Sequence, residues 1–126
     1  MKLDHTLVPA KDKEASARFF ARIMGLEYVG TIGTAGLVRV DDTLTLRFEE
    51  RQTGRIHLAF HVTEQEFDDI LERLRAEHVP YGSAGSRSSG FDMLVGEMNG
   101  GRRIYFDDPS GQNFEIMTAS TAGLGG

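Results

Sequence analysis

A histidine opens one apolar stretch at His5 (HTLVPA) and another at His57 (HLAFHV), 52 positions further on. Each stretch leads into an amphipathic helical pattern and then to a tyrosine, Tyr28 or Tyr81, 53 positions apart. A loop and further strand-like runs follow in both halves. Two copies are too few for a solenoid. The shared order of strand, helix, strand, loop and hairpin instead predicts an α+β chain of two βαβββ modules, with paired, cup-shaped mixed sheets and helices on the outer face. The competing account is a ferredoxin-like α+β domain in which the match between the halves is coincidental. The expected organisation is a single domain over 1–120, with module one at 1–52, module two at 53–120 and a flexible tail at 121–126.

Local signals fill in this outline. Leu3 to Val8 reads as a strand. Asp12 caps a helix from Lys13 to Met24, whose Ala15, Phe19 and Ile23 form one stripe, and Gly25 ends it. Glu27 to Thr31 is extended, and Leu37 to Val40 with Thr43 to Glu49 forms a hairpin around Asp41-Asp42. Ile56 to Val62 is the strand that repeats the first. Thr63 and Glu66 make a capping box for a helix bearing Phe67, Ile70, Leu71 and Leu74, which runs to about His78 before Val79-Pro80 stops it. Gly82 to Gly101 reads mostly as loop, with a short strand near Met93 to Val95; its length suits a lid or specificity loop with Phe91, Met93 and Met98 as apolar contacts. Arg102 to Phe106 and Asn113 to Thr118 then form a hairpin closed by Asp-Pro-Ser-Gly.

Charge and composition narrow the function. A net charge of -5 and a pI near 5.3 disfavour a phosphate-backbone partner, so no nucleic-acid ligand is expected. The chain has no cysteine, which leaves His, Asp and Glu as the ligands available to any metal. The start MKLDHTLVPA lacks the apolar core of a signal peptide, and no run approaches the roughly 18 apolar residues of a membrane span. A cytoplasmic protein without a membrane partner is expected.

If the halves are duplicated, His5 and His57 begin equivalent strands, and Glu115 lies on the last strand, which such a unit places beside its first. Two imidazoles and one carboxylate suit a divalent ion with open positions, either iron(II) in a facial triad or zinc with three protein ligands. The spacing is not a compact motif such as HExxH. The plain structural reading makes both histidines partly exposed strand ends and Glu115 a solvent-facing strand residue.

These residues resemble a known superfamily. LDHTLVPAKDKEASARFFARIMGLEY is similar to the first unit of the vicinal oxygen chelate proteins, and IHLAFHVTEQEFDDILERLRAEHVPY followed by RRIYFDDPSGQNFEIM is similar to the second. The group includes glyoxalases, fosfomycin-resistance transferases, methylmalonyl-CoA epimerases, extradiol dioxygenases and bleomycin-binding proteins. The resemblance covers about residues 1 to 118 and is more specific for fold than for reaction. It implies that His5, His57 and Glu115 hold a divalent ion (Fe, Mn, Zn or Ni) to which a small-molecule substrate chelates through adjacent oxygens. A fourth ligand, where the family has one, falls at Thr45 or Arg47. Neither is a Glu or Gln, which departs from glyoxalase proper and leaves a three-ligand site like that of the fosfomycin transferases. The sequence around the glutamate, QNFEIMTAS, does not reproduce theirs.

The closest local match is the tail of the extradiol signature: Tyr105, the Asp-Pro-Ser-Gly turn and Glu115. The position of that signature's acid/base histidine is taken by Glu97, whose ordinary pKa is about 4.3 against about 6.5 for histidine, so Glu97 can replace it only if burial raises that value. Most extradiol enzymes also carry two such domains. Tyr105 and Glu97 are therefore the candidate catalytic residues. His61 shares the face of His57 but lies about 13 Å further along the strand, which allows it a rim contact only. His78 suits a helix C-terminus, and Arg39 and Arg47 are candidate anion contacts or solvated charges.

The expected function is that of a small metal-dependent enzyme of isomerase, lyase or dioxygenase type, acting as a homodimer whose site lies within one chain or is shared by two. The alternatives are a ligand-sequestering protein of the bleomycin-resistance kind, a group that generally lacks the metal triad, and a domain that keeps the triad without using it.

Overall fold

A computed structural model describes residues 1–52, 54–84 and 90–121. The chain divides into two compact units: Met1–Ile56 together with Asp108–Gln112, and His57–Asp107 together with the segment from Asn113 onward. Each contains one mixed sheet and one helix, so the α+β architecture expected from the repeat is present. Residues 122–126 of the expected tail at 121–126, and the middle of the long loop, 85–89, lie outside the described residues.

The first unit comprises β1 (His5–Ala10), α1 (Lys13–Met24), β2 (Glu27–Ile32), β3 (Ala35–Arg39) and β4 (Thr45–Glu50). Its sheet has the order β1-β4-β3-β2, with β1 parallel to β4 and the other pairs antiparallel. β1 begins and ends two residues later than expected. It runs through Pro9 because it is an edge strand, where a missing N–H is tolerated. The hairpin at Asp41-Asp42 forms as expected. Asp41 Oδ1 accepts the Thr43 N–H (2.8 Å), the Thr43 hydroxyl (2.8 Å) and the Leu44 N–H (2.9 Å), and these bonds, the Thr43 N–H foremost, hold its pKa below the ordinary value.

Helix α1 starts where Asp12 Oδ1 accepts the Ala15 N–H (3.0 Å) and ends at Gly25, which takes the left-handed φ of 72° that glycine adopts without strain. Its buried face is broader than the expected stripe and turned from it: Ser16, Ala17, Phe20 and Met24 are buried beside Phe19 and Ile23, whereas Ala15 is exposed. This face lies on the sheet side that carries Val8, Leu46, Phe48 and Val38. The rings of Phe20 and Phe48 are 5.9 Å apart. Burying each such side chain contributes roughly 1.5–3 kcal/mol, enough to hold a 12-residue helix that is marginal alone.

The second unit comprises β5 (His57–His61), α2 (Glu64–Ala76), β6 (Tyr81–Gly82), β7 (Gly96–Met98), β8 (Gly101–Asp107) and β9 (Asn113–Met117). The order is β5-β9-β8-β6, with β7 on β8; β5 and β9 are parallel. The capping box forms in full: Thr63 Oγ1 accepts the Glu66 N–H (3.1 Å), and Glu66 Oε1 accepts the Thr63 N–H (2.9 Å). The helix stops at Ala76, two residues short of His78, which takes a left-handed φ of 55° and donates its N–H to Arg75 O. The short strand lies at Gly96–Met98 rather than at Met93 to Val95. Asp92 Oδ1, bonded to the Ser83 and Leu94 N–H groups, and a left-handed Met93 bend the chain before it can pair.

Alternation along β8 separates the two faces of this sheet. Arg102 reaches α2, where Nη2 bonds Glu64 Oε2 (2.6 Å), Nη1 bonds Asp68 Oδ1 (2.9 Å) and Cζ lies 4.2 Å over the Phe67 ring. Ile104 and Phe106 share that face and are fully buried. Arg103 and Tyr105 therefore stand on the opposite face, away from the helix.

Candidate metal centre

Strand register builds a compact group on the face away from α2. His57 is paired with Asn113 across β5 and β9, Ala59 with Glu115, and Glu115 in turn with Tyr105 across β9 and β8. Paired residues share a face, so His57, Asn113, Glu115 and Tyr105 all project to one side. His57 Nε2 meets Glu115 Oε1 at 3.1 Å, and the His57 and Tyr105 ring centres are 5.8 Å apart. Burial, reinforced by the Glu115 charge, pushes the Tyr105 pKa above the ordinary phenol value of 10.0. Glu115 is only 5% exposed, so its carboxylate sits where an uncompensated charge is costly.

The imidazole is held from behind. Asn113, 2% exposed, donates its amide N–H groups to Asp107 Oδ1 (2.9 Å) and Phe106 O (3.4 Å), both acceptors. Its amide oxygen must therefore be the atom 2.7 Å from His57 Nδ1. That contact is a hydrogen bond only if Nδ1 carries the proton. A neutral His57 consequently presents its Nε2 lone pair toward Glu115, which is the tautomer a metal ligand needs. Asn113 and Asp107 are absent from the sequence reading, yet Asn113 lies two residues before Glu115 and so shares its face by simple alternation.

The remaining expected residues are placed as follows. His5 begins β1 in the first unit, with a side chain 57% exposed and Nδ1 2.8 Å from Asp4 Oδ2. It shares the face opposite α1 with Thr45 and Arg39 in one row and with Leu7, Arg47 and Leu37 in the next. Glu97 is exposed and paired with Arg102, which puts it on the α2 side of the second sheet, not beside Tyr105. The structure separates Glu97 from the group that holds Glu115. His61 donates to or accepts from nothing in that group; its Nε2 is 3.2 Å from Thr118 O.

Among the described residues, no three His, Cys, Asp or Glu side chains form a metal-holding group by themselves. His57 and Glu115 fit as two of the donors. Nε2 and Oε1 lie 3.1 Å apart; with Nδ1 protonated toward Asn113, a proton between them belongs to an imidazolium or to a protonated carboxyl, and a cation taking both atoms would replace that proton and offset the carboxylate charge. A groove of the first unit, about 610 Å³, is lined by Lys13, Gly33, Thr34, Glu49, Glu50 and Arg51. Its charges are paired within the chain (Lys13 with Glu50, Arg51 with Glu49), so it shows no need of a ligand.

Residues 2–116 match the family model for the glyoxalase/bleomycin resistance protein/dioxygenase superfamily. The chain belongs to this superfamily. Among solved structures, oxidase ChaP-H2 is 35% identical at a TM-score of 0.87, the match covering 97% of this chain and 96% of that one. Oxidase ChaP-H1 is 34% identical at the same TM-score of 0.87, with 98% and 99% covered. A lactoylglutathione lyase from Agrobacterium tumefaciens shares the fold at 21% identity and a TM-score of 0.69, with 91% of each chain covered. Superfamily membership fits a metal-dependent enzyme acting on a small molecule, and no helix among the described residues is long and apolar enough to cross a membrane.

Proposed function

We propose that this protein is a metal-dependent oxidase that binds an oxygenated small molecule by bidentate chelation. The observation that carries the reading is the convergence of His57 Nε2 and buried Glu115 Oε1 at 3.1 Å, with the His57 tautomer set by Asn113. The oxidative branch, rather than isomerase or lyase chemistry, is supported by 35% identity over nearly the whole chain to a protein named an oxidase.

His57 and Glu115 would hold the ion, with His5 as the third ligand. When bound, a divalent ion in such a set polarises chelated substrate oxygens and, as iron(II), supports reaction with dioxygen. The chain's own residues do the rest. Asn113 selects the neutral tautomer in which Nε2 is the free nitrogen and aims it. Glu115, itself buried, contributes a negative charge that offsets the ion. Tyr105, kept protonated by burial and by Glu115, is a proton donor and not a base near neutral pH, so its hydroxyl can donate to an oxyanion developing on the substrate. A homodimer in the cytoplasm is the proposed working form. In it His5 belongs to the same chain as the other two ligands or to the partner.

Metal analysis of untagged protein tests this. Wild type should retain close to one divalent ion per chain and His57→Ala should lose it; equal content in the two would sink the proposal. Oxygen consumption by iron-loaded protein with catechols would separate oxidase from isomerase or lyase chemistry.

A further inference from the structure

Arg103 stands on the same face as His57, Glu115 and Tyr105, two residues from Tyr105 along β8 and paired with Met117 of β9. Its neighbour Arg102 is doubly ion-paired on the other face. Arg103 is not: among the described residues its guanidinium touches only the Met98 sulfur (Nη1, 3.0 Å) and the Tyr105 ring (Cζ 5.5 Å from the centre), and its Nε is buried without a hydrogen-bond partner. A thioether is a weak acceptor, and a half-buried cation with no counter-charge is costly to keep. Gly96 lies directly opposite on β7, where a Cβ would meet Ser83 O at 3.1 Å, Ser83 Cβ at 3.2 Å and the Arg103 Cγ at 3.3 Å.

We propose that Arg103 is the anion subsite of this centre and that the substrate carries a carboxylate or phenolate remote from its chelating oxygens. This rests on the metal-chelation reading above and adds the substrate class. Arg103 lies one same-face row beyond Tyr105 and Glu115, about 6.8 Å along the strands, so a substrate chelated beside Glu115 can turn a remote anionic group toward it. The guanidinium fork matches such a group in two parallel hydrogen bonds, which an ammonium does not reproduce. Tyr105 lies between His57 and Arg103, so a substrate held at both ends would lie along the Tyr105 side chain, within reach of its hydroxyl.

The test is calorimetric titration of the iron(II)-loaded, full-length protein under anaerobic conditions with two probes, catechol and 3,4-dihydroxybenzoate. Wild type should bind the carboxylate-bearing probe at least about tenfold more tightly. Arg103→Gln should abolish that preference while leaving catechol affinity within about twofold, and Arg103→Lys should restore part of it. Retained preference in Arg103→Gln, or no preference in a wild type that binds catechol, would overturn the Arg103 assignment alone. Failure of the loaded protein to bind either probe would overturn chelation itself and this assignment with it. Metal content and thermal melting of both variants, expected to match wild type, distinguish a lost subsite from a lost fold.

Discussion

Asn113 shows how a neutral side chain can decide the chemistry of a charged one. Asp107 and the Phe106 carbonyl occupy its two donors, leaving only its oxygen for His57, and that fixes which imidazole nitrogen is free. Asn113→Leu should therefore weaken divalent-ion affinity about 10–100-fold without changing the ligands, as loss of a supporting hydrogen bond to a ligating histidine typically does. Titration with metal gives the affinity. Nitrogen chemical shifts of His57 give the tautomer, expected to change from a single Nδ1–H form to a mixture. The histidines and Glu115 were legible as candidates from the repeat and the resemblance. Asn113 and Arg103 were not, because an amide at a strand start and an arginine in a strand look ordinary until their partners, or their lack of one, are seen.

Among the elements, α1 lies close against β3. A Cβ at Gly36 would stand 3.1 Å from both Ala17 Cβ and Lys13 O, and the latter is backbone that cannot step aside cheaply. Gly36→Ala should destabilise the protein by about 1–3 kcal/mol, read as a lower denaturation midpoint with an unchanged slope. Between β8 and α2 the tie is Arg102. Its hydrogen bond holds the Glu64 carboxylate below the usual pKa of 4.5. A depressed folded-state value means the contribution is present above the ordinary pKa and is lost as pH falls through the folded one. Arg102→Gln should thus lower the melting temperature by a few degrees at neutral pH and narrow the gap from wild type below pH 4.5. Both helices and both hairpins could be read from caps and turns, since these signals are local. The errors fell on Pro9, where edge position overrode a breaker, on Ala15, where packing chose the buried side, and on the Met93 segment, where Asp92 set the bend.

For the molecule as a whole, the Asp-Pro-Ser-Gly turn does more than join β8 to β9. It is counted with the first unit, where Ser110 Oγ accepts the Lys11 N–H (2.8 Å) and shares a hydrogen bond with buried Ser16 (2.8 Å). Gln112, 4% exposed, donates to Pro9 O (3.1 Å) and accepts from the Ile56 N–H (2.7 Å). Gln112→Leu strands the buried Pro9 carbonyl and the half-buried Ile56 N–H, and about 1–3 kcal/mol of stability should go with the buried one, measured by chemical denaturation. Light scattering of the purified protein should report a dimer, and His5→Ala should lower metal affinity in it. The sequence by itself determined the repeat, the helix boundaries to within two residues and the residue types able to bind an ion, because caps, alternation and ligand chemistry act over a few positions. Only the tertiary structure decided which side chains share a face. Parallel pairing of β5 with β9 puts residues nearly 60 positions apart within 3.1 Å, and a one-residue difference along β8 sends Arg102 to the helix and Arg103 to the site.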